Sequence, residues 1–318
     1  MTDDELLIEQ FKGYLTNEKK ASSNTLVSYL RDVNQFEKYL AHDQSTPLVS
    51  VTSDDVQGYV KWMKKNGKSV ATMSRCVASL KCFYNYLIGK DLVEVNPAAH
   101  IEMDKQSRKL PEILTSREVE LFLDQADGND VKGIRDKAML ELLYATGIRV
   151  TELIDLDVSD VNISAGVVRC RGKDKERLIP MYSVAIKAIS EYLERVRPNM
   201  IADPNEQAFF VNISGTRMSR QGFWKIVKSY QQKAGIEKEI TPHTLRHSFA
   251  LHLYQNGASL HELQIILGHA DISSTQLYAT LSQKAEYSDV YDRCHPMSSS
   301  KRRQAVISTG AGLGAGTD

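Results

Sequence analysis

Apolar residues recur at helical spacing from the start of the chain: Leu6, Phe11 and Leu15, then Leu26, Tyr29, Leu30, Val33, Phe36 and Leu40. An apolar side chain every three or four positions gives a helix one face to bury, and Ser22 to Thr25 supplies a cap between the two sets, so the pattern predicts two helices. The same spacing returns over Asp54 to Lys65 and over Ser69 to Ile88, with a break at Asn66-Gly67 and an end at Gly89. A small all-helical domain over residues 1–105 follows, and the polar stretch from Asn96-Pro97 to Lys109-Leu110-Pro111 reads as a linker.

Past the linker, Thr115-Ser116-Arg117-Glu118 is a capping-box pattern ahead of an apolar run to Gln125, and Gly133 to Tyr144 reads as the next helix. The period then falls to two. Val167 to Arg171 and Arg177 to Pro180 alternate on either side of Gly172 to Lys175, which predicts a β-hairpin. Helical spacing resumes over Ala185–Val196, Arg220–Ala234, Leu245–Asn256, Leu260–Leu267 and Ser274–Leu281, the last a short helix on a mobile element. The fold class is mainly α with a small β-hairpin or sheet. The second domain spans 106–297, and residues 298–318, rich in Gly, Ser and Ala, hold too few core formers to fold and are expected to be disordered.

Composition narrows the class. With 318 residues the chain can bury two cores, and no apolar run approaches the roughly 18 residues of a membrane span. The acidic start MTDDELLIEQ is unlike a signal peptide, so the expected location is cytoplasmic, away from membranes. Cys76, Cys82, Cys170 and Cys294 make no CxxC pair, which suits reduced thiols without structural zinc. The formal net charge is zero, so any phosphate binding rests on local clusters: Lys61, Lys64, Lys65 and Lys68; Arg169, Arg171, Lys173, Lys175 and Arg177; Arg217, Arg220, Lys225 and Lys228. Taken singly, each cluster reads as a solvated face ahead of a binding patch.

The chemistry concentrates between Ile240 and Leu281. Thr241-Pro242 is a cap followed by proline at the first helical position, which puts His243 and Arg246 in the first turn, where an anion is favoured. Arg149, just past Gly147, can supply a second planar fork for the non-bridging oxygens of a phosphodiester. Lys173 lies at the hairpin tip, and a lysine there can protonate a leaving oxygen if neighbouring arginines lower its pKa. His243 and His247 have the spacing of a metal pair, but Thr244 stands where a zinc protease helix needs Glu, so no metal is expected; His243 reads as a hydrogen-bonding or proton-accepting imidazole and His247 as a group beneath it. His269 emerges from the turn after Leu267-Gly268. Tyr278 becomes a nucleophile only with a base and a positive field to lower its pKa, which the two arginines, the lysine and the histidines would supply. Taken alone, each of these residues reads first as structural or as a surface group.

Their order and spacing do not. Arg149, Lys173, His243-x-x-Arg246, His269 and Tyr278, within ATGIRVTEL, HTLRHSFALHL and LGHADISSTQLY, resemble the tyrosine recombinase (phage integrase) family, and among its members the Xer site-specific recombinases. The resemblance covers nearly the whole chain, since SSNTLVSYLRDVNQF is similar to the family's helical, SAM-like core-binding domain and Val167 to Pro180 to its lysine-bearing hairpin. It implies an α+β catalytic domain behind that helical one. It also implies a transesterification without cofactor or metal: Tyr278 attacks a DNA phosphate to give a 3′-phosphotyrosyl link, Arg149 and Arg246 clamp the phosphate, Lys173 protonates the leaving 5′ oxygen, His243 assists the tyrosine proton, His269 stabilises the transition state and Glu152 supports Arg149. Strands would be exchanged through a Holliday junction by a homo- or hetero-tetramer on double-stranded recombination sites, resolving chromosome dimers during cell division, with a septal DNA translocase as a further expected partner.

Ala279-Thr280 stands where Xer proteins carry Thr-His, and the chain runs on past His295-Pro296, so a plasmid, phage or transposon recombinase remains the alternative. Two other readings compete: a type IB topoisomerase, and a DNA-binding architectural protein without catalysis. The apolar stripe Tyr287, Val290, Tyr291 and Cys294 is too small for a core and is expected to dock on a neighbouring protomer.

Overall fold

The computed structural model describes residues 2–43, 46–103, 111–126, 128–172, 176–269 and 271–294, those from 284 onward as backbone alone. The chain divides into two compact units, Met1–Arg108 and Lys109–Asp318. Lys173 and the tail from 298 lie outside the described residues, as do the side chains of the predicted docking stripe.

The first unit contains α1 (Asp3–Asn17), α2 (Ser23–Asp43), α3 (Ser53–Lys65) and α4 (Val70–Ile88). Their starts are set locally. Thr2 and Glu5 bond each other's backbone amides at the head of α1, Thr52 and Asp55 do so for α3, and the Ser69 hydroxyl accepts from the Thr72 amide ahead of α4. Phe11 and Leu15 of α1, Val33 and Phe36 of α2, and Leu80, Phe83 and Leu87 of α4 meet in one core, where Phe11 packs edge-on against Phe83 at 5.1 Å between ring centroids. One charged group is sealed inside: the Asp32 carboxylate, 1% exposed, accepts from Arg75 Nε at 3.0 Å, Arg75 Nη2 at 2.7 Å and the Ser79 hydroxyl at 2.8 Å, tying α2 to α4.

The second unit begins with α5 (Ser116–Leu123), started by the Thr115–Glu118 capping box, and α6 (Val131–Thr146), whose Ala138, Met139, Leu140, Leu142 and Leu143 are all fully buried. A short α7 (Val150–Asp155) follows, one and a half turns that the pattern did not reveal. The sheet is antiparallel in the order β1 (Val161–Asn162), β2 (Val167–Arg171), β3 (Glu176–Pro180). The predicted hairpin is present, with Val168 opposite Ile179 and Cys170 opposite Arg177; the two-residue β1 is too short to show a period in sequence.

After the sheet, α8 (Ser183–Glu191) runs through a π turn at Tyr192–Val196 into α9 (Arg197–Met200), further than the apolar pattern ending at Val196. Then come α10 (Arg220–Ala234), α11 (Pro242–Gln255), α12 (Leu260–Leu267) and α13 (Ser273–Cys294). The expected short helix of Ser274–Leu281 is thus the first part of a 22-residue one, because neither Gly nor Pro stands between Leu281 and Cys294 to stop it. Phe249, Ala250 and Leu251 of α11, Leu263 and Leu267 of α12, and Tyr278 and Leu281 of α13 form a satellite core.

Candidate active site

The site is organised by the C-terminus of α12. A helix leaves its last carbonyls without amide partners and gathers negative partial charge there. Here three consecutive carbonyls each receive a different guanidinium: Arg177 Nε donates to Ile266 O at 2.8 Å, Arg246 Nη2 to Leu267 O at 2.6 Å and Arg149 Nη2 to Gly268 O at 2.9 Å. Gly268 turns the chain at φ 62°, a left-handed conformation, and a Cβ at this position would lie 2.9 Å from Arg177 Nη1. Only glycine allows both the turn and the packed arginine.

Each arginine comes from a helix boundary or a strand. Arg149 precedes α7, where its amide donates to Glu152 at 2.7 Å, and its side chain stays 40% exposed. Arg246 opens the second turn of α11 and is 5% exposed; its other terminal nitrogen donates to Gly147 O. Gly147 ends α6 at φ 57°, and a Cβ there would approach Phe249 to 2.2 Å, so α11 reaches this carbonyl only beside a glycine. Burial and then the nearby Arg149 push Arg246 down to about 10, which still leaves it a cation at neutral pH.

Glu152, proposed from sequence as support for Arg149, sits only 3.4 Å from Arg149 Nη1. Its strong partner is Arg177, which donates from Nη1 at 2.8 Å and from Nη2 at 2.9 Å. Burial raises the Glu152 carboxyl, but the Arg177 fork and the Arg149 amide outweigh it and the net shift is downward.

Tyr278 is fully buried, and its hydroxyl lies 2.9 Å from His247 Nδ1. Burial raises its pKa against the lowering influence of Arg246. The positive field expected to activate the phenol is therefore outweighed in this arrangement, because the ring is packed in the satellite core and a phenolate there would lose its water. His247, read from sequence as a group beneath His243, is the imidazole that touches the nucleophile candidate; burial and then His243 lower it to about 4. His243 instead is exposed and lines an open cleft of about 720 Å³ with Arg220, Trp224, Lys225 and Val150. Its pKa is lowered by partial burial and then by Arg246, Arg220 and Arg149. His269 follows the α12 end, where burial and then Arg246 and Arg149 lower it to about 4, and its Nδ1 is buried without a hydrogen-bond partner among the described residues.

Arg149, Arg246, His269, Tyr278 and Glu152 are therefore gathered around the end of α12, while His243 faces the adjoining cleft. Lys173 and its neighbours at the hairpin tip lie outside the described residues. Sequence reasoning missed the contacts of His247 and Arg177. The signal for Arg177 was available: alternation puts it on the same face as Cys170 and Ile179, both buried. Among the described residues of the basic cluster around it, Arg169 and Arg171 pair with Asp160; in the next cluster Arg217 pairs with Asp157. Among the described residues no three His, Cys, Asp or Glu side chains converge as a metal-binding group, and no helix is long and apolar enough to cross a membrane. Cys76, Cys82 and Cys170 are free thiols.

Comparison with known proteins identifies the family. Residues 112–285 match the phage integrase family and residues 8–91 the phage integrase N-terminal SAM-like domain. The tyrosine recombinase XerD of Oceanobacillus iheyensis is 45% identical over 295 residues, covering 92% of this chain and 99% of the relative; that of Staphylococcus epidermidis is 40% identical over 291 residues, covering 91% and 98%. Among solved structures, the XerA recombinase is 27% identical with a TM-score of 0.51, covering 91% of this chain and 98% of that one. The XerH site-specific recombinase bound to its palindromic difH substrate shares the fold at 22% identity and a TM-score of 0.72, covering 89% and 84%. The chain thus belongs to the phage integrase family and is a site-specific tyrosine recombinase, an enzyme that transfers DNA strands.

Proposed function

We propose that this recombinase acts in the cytoplasm on double-stranded recombination sites to resolve chromosome dimers, with Tyr278 as nucleophile. The observation that carries the chemistry is the convergence of Arg149 and Arg246 on one helix end beside Tyr278. The near full-length likeness to proteins named XerD supports the chromosomal role over that of a mobile element. The phenol oxygen forms a bond to phosphorus, the bond from phosphorus to the 5′ oxygen breaks, and a 3′-phosphotyrosine remains. Charge on the five-coordinate phosphorus meets Arg149, Arg246 and His269, preplaced donors each worth on the order of 10²–10³ in rate. Lys173 gives a proton to the 5′ oxygen. Because Tyr278 is sealed against His247, α13 must shift before the phenol reaches a phosphate, and His243 on the open cleft then receives its proton. Four protomers on two sites, alone or with a paralogous recombinase, complete the exchange, and a septal DNA translocase brings the sites together.

A nicked suicide duplex tests the chemistry. The chain should form a covalent adduct that survives EDTA and maps to Tyr278, and Tyr278→Phe should form none while binding duplex with nearly unchanged affinity, because phosphate contacts dominate binding. An adduct from Tyr278→Phe, or one that needs added metal, rejects the mechanism. Cells carrying only Tyr278→Phe should accumulate chromosome dimers; normal segregation would assign the enzyme to a mobile element.

A further inference from the structure

Arg177 has no part in the chemistry just described, yet its side chain makes more hydrogen bonds than that of Arg149 or Arg246. It enters from β3, which carries the lysine hairpin, and reaches two other elements at once. Both terminal nitrogens grip Glu152 of α7 at 2.8 and 2.9 Å, and Nε holds the Ile266 carbonyl of α12 at 2.8 Å. Its side chain is 12% exposed, against 40% for Arg149. With all three of its guanidinium nitrogens committed to protein acceptors, Arg177 is not aimed at a substrate phosphate. Arg149, whose side chain stays partly open, is.

The two arginines share their supports. Glu152 receives the Arg149 amide and Nη1 as well as the Arg177 fork, and the carbonyls that hold the two guanidinium groups, Ile266 and Gly268, are two residues apart on one helix end. Whatever fixes Glu152 and the α12 terminus therefore fixes the direction of the Arg149 fork. By itself the Arg149–Glu152 contact is too long, at 3.4 Å, to do this.

From this geometry we propose that Arg177 is a positioning residue for recombination: it locks Glu152 and the α12 terminus so that Arg149 presents its free donors to the scissile phosphate. The inference rests on the tyrosine mechanism above. Lysine cannot replace it, since a single ammonium cannot bond both carboxylate oxygens and a carbonyl on a different element in the same planar geometry.

The test compares adduct formation on two suicide duplexes, one with an ordinary phosphodiester at the cleavage point and one with a neutral methylphosphonate there. A neutral phosphorus needs less charge from the clamp, so a misaimed clamp matters less. Arg177→Lys should bind duplex normally, slow adduct formation on the diester about 10²-fold, the scale of a catalytic group displaced by about 1 Å, and recover most of that loss on the methylphosphonate. Glu152→Gln, which keeps the side-chain shape and guards against misfolding of the arginine variant, should show the same pattern more weakly. The double variant should be no slower than Arg177→Lys alone. Equal losses on both substrates, with a normal wild-type adduct, overturn the positioning role and leave Arg177 a stability element. Absence of any wild-type adduct overturns the Tyr278 mechanism and this inference with it.

Discussion

Both units bury arginine–carboxylate chemistry, and they bury it differently. In the helical unit the Asp32 carboxylate is satisfied by Arg75 and Ser79 and sealed from solvent. In the catalytic unit, Arg149, Arg246 and Arg177 lean on helix-end carbonyls, Arg149 keeps an open side, and His269 Nδ1 is buried with no bonding partner among the described residues. A closed network stabilises one conformation. A network with donors left over waits for an acceptor from outside. Charge in the first unit should therefore appear in stability, and charge in the second in rate.

The sharpest way to break this contrast is Arg246→Lys. It keeps the cation but loses the fork, and should slow adduct formation about 10²–10³-fold at saturating DNA, as expected for a lost transition-state donor. An unchanged rate in single-turnover cleavage would remove Arg246 from the clamp. Asp32→Ala should do the reverse: urea unfolding of the helical unit shifts by about 2 kcal/mol, the scale of hydrogen bonds to a charged group discounted for the half-open Arg75 side, while the cleavage rate at saturating DNA is unchanged. A rate defect in this variant would mean that the two kinds of network are not separate.

The smallest expected effect concerns His247. Its folded pKa is about 4 against an ordinary 6.5, so as pH falls below about 6.5 the unfolded chain binds a proton that the folded chain refuses. Stability is fully present above 6.5 and is lost progressively towards 4, with a slope of at most about 1.4 kcal/mol per pH unit for this one group. His247→Asn can still bond the Tyr278 hydroxyl but does not titrate. Its urea midpoint should change less between pH 7 and pH 5 than the wild type's. Identical slopes would show that His247 binds its proton equally in the folded and the unfolded chain.

Helices with a regular apolar face, such as α2 and α4, were legible in the sequence because burial imposes their period, and the capping residues fixed their starts. The hairpin was legible for the same reason at period two. What remained hidden depended on contacts between distant segments. The two-residue β1 has no period of its own, and α7 is too short to show one. His247 could not be distinguished from His243 by spacing, since α13, which selects between them, lies more than twenty residues further along the chain. The raised pKa of Tyr278 was missed because the sequence lists the cations that favour a phenolate but not the packing of the ring in the core. Arg177, read as one of several surface charges, needed the positions of Glu152 and Ile266 to show its role.

Three arginines seated on three successive carbonyls of α12 also share a common frame of reference. If thermal motion displaces this rigid helix end, the guanidinium groups travel together: their mutual spacing survives and only their distance to outside atoms changes. Error in the clamp of Arg149 and Arg246 is thus a single collective displacement instead of two independent ones, and it leaves intact the shape that a phosphate must fit.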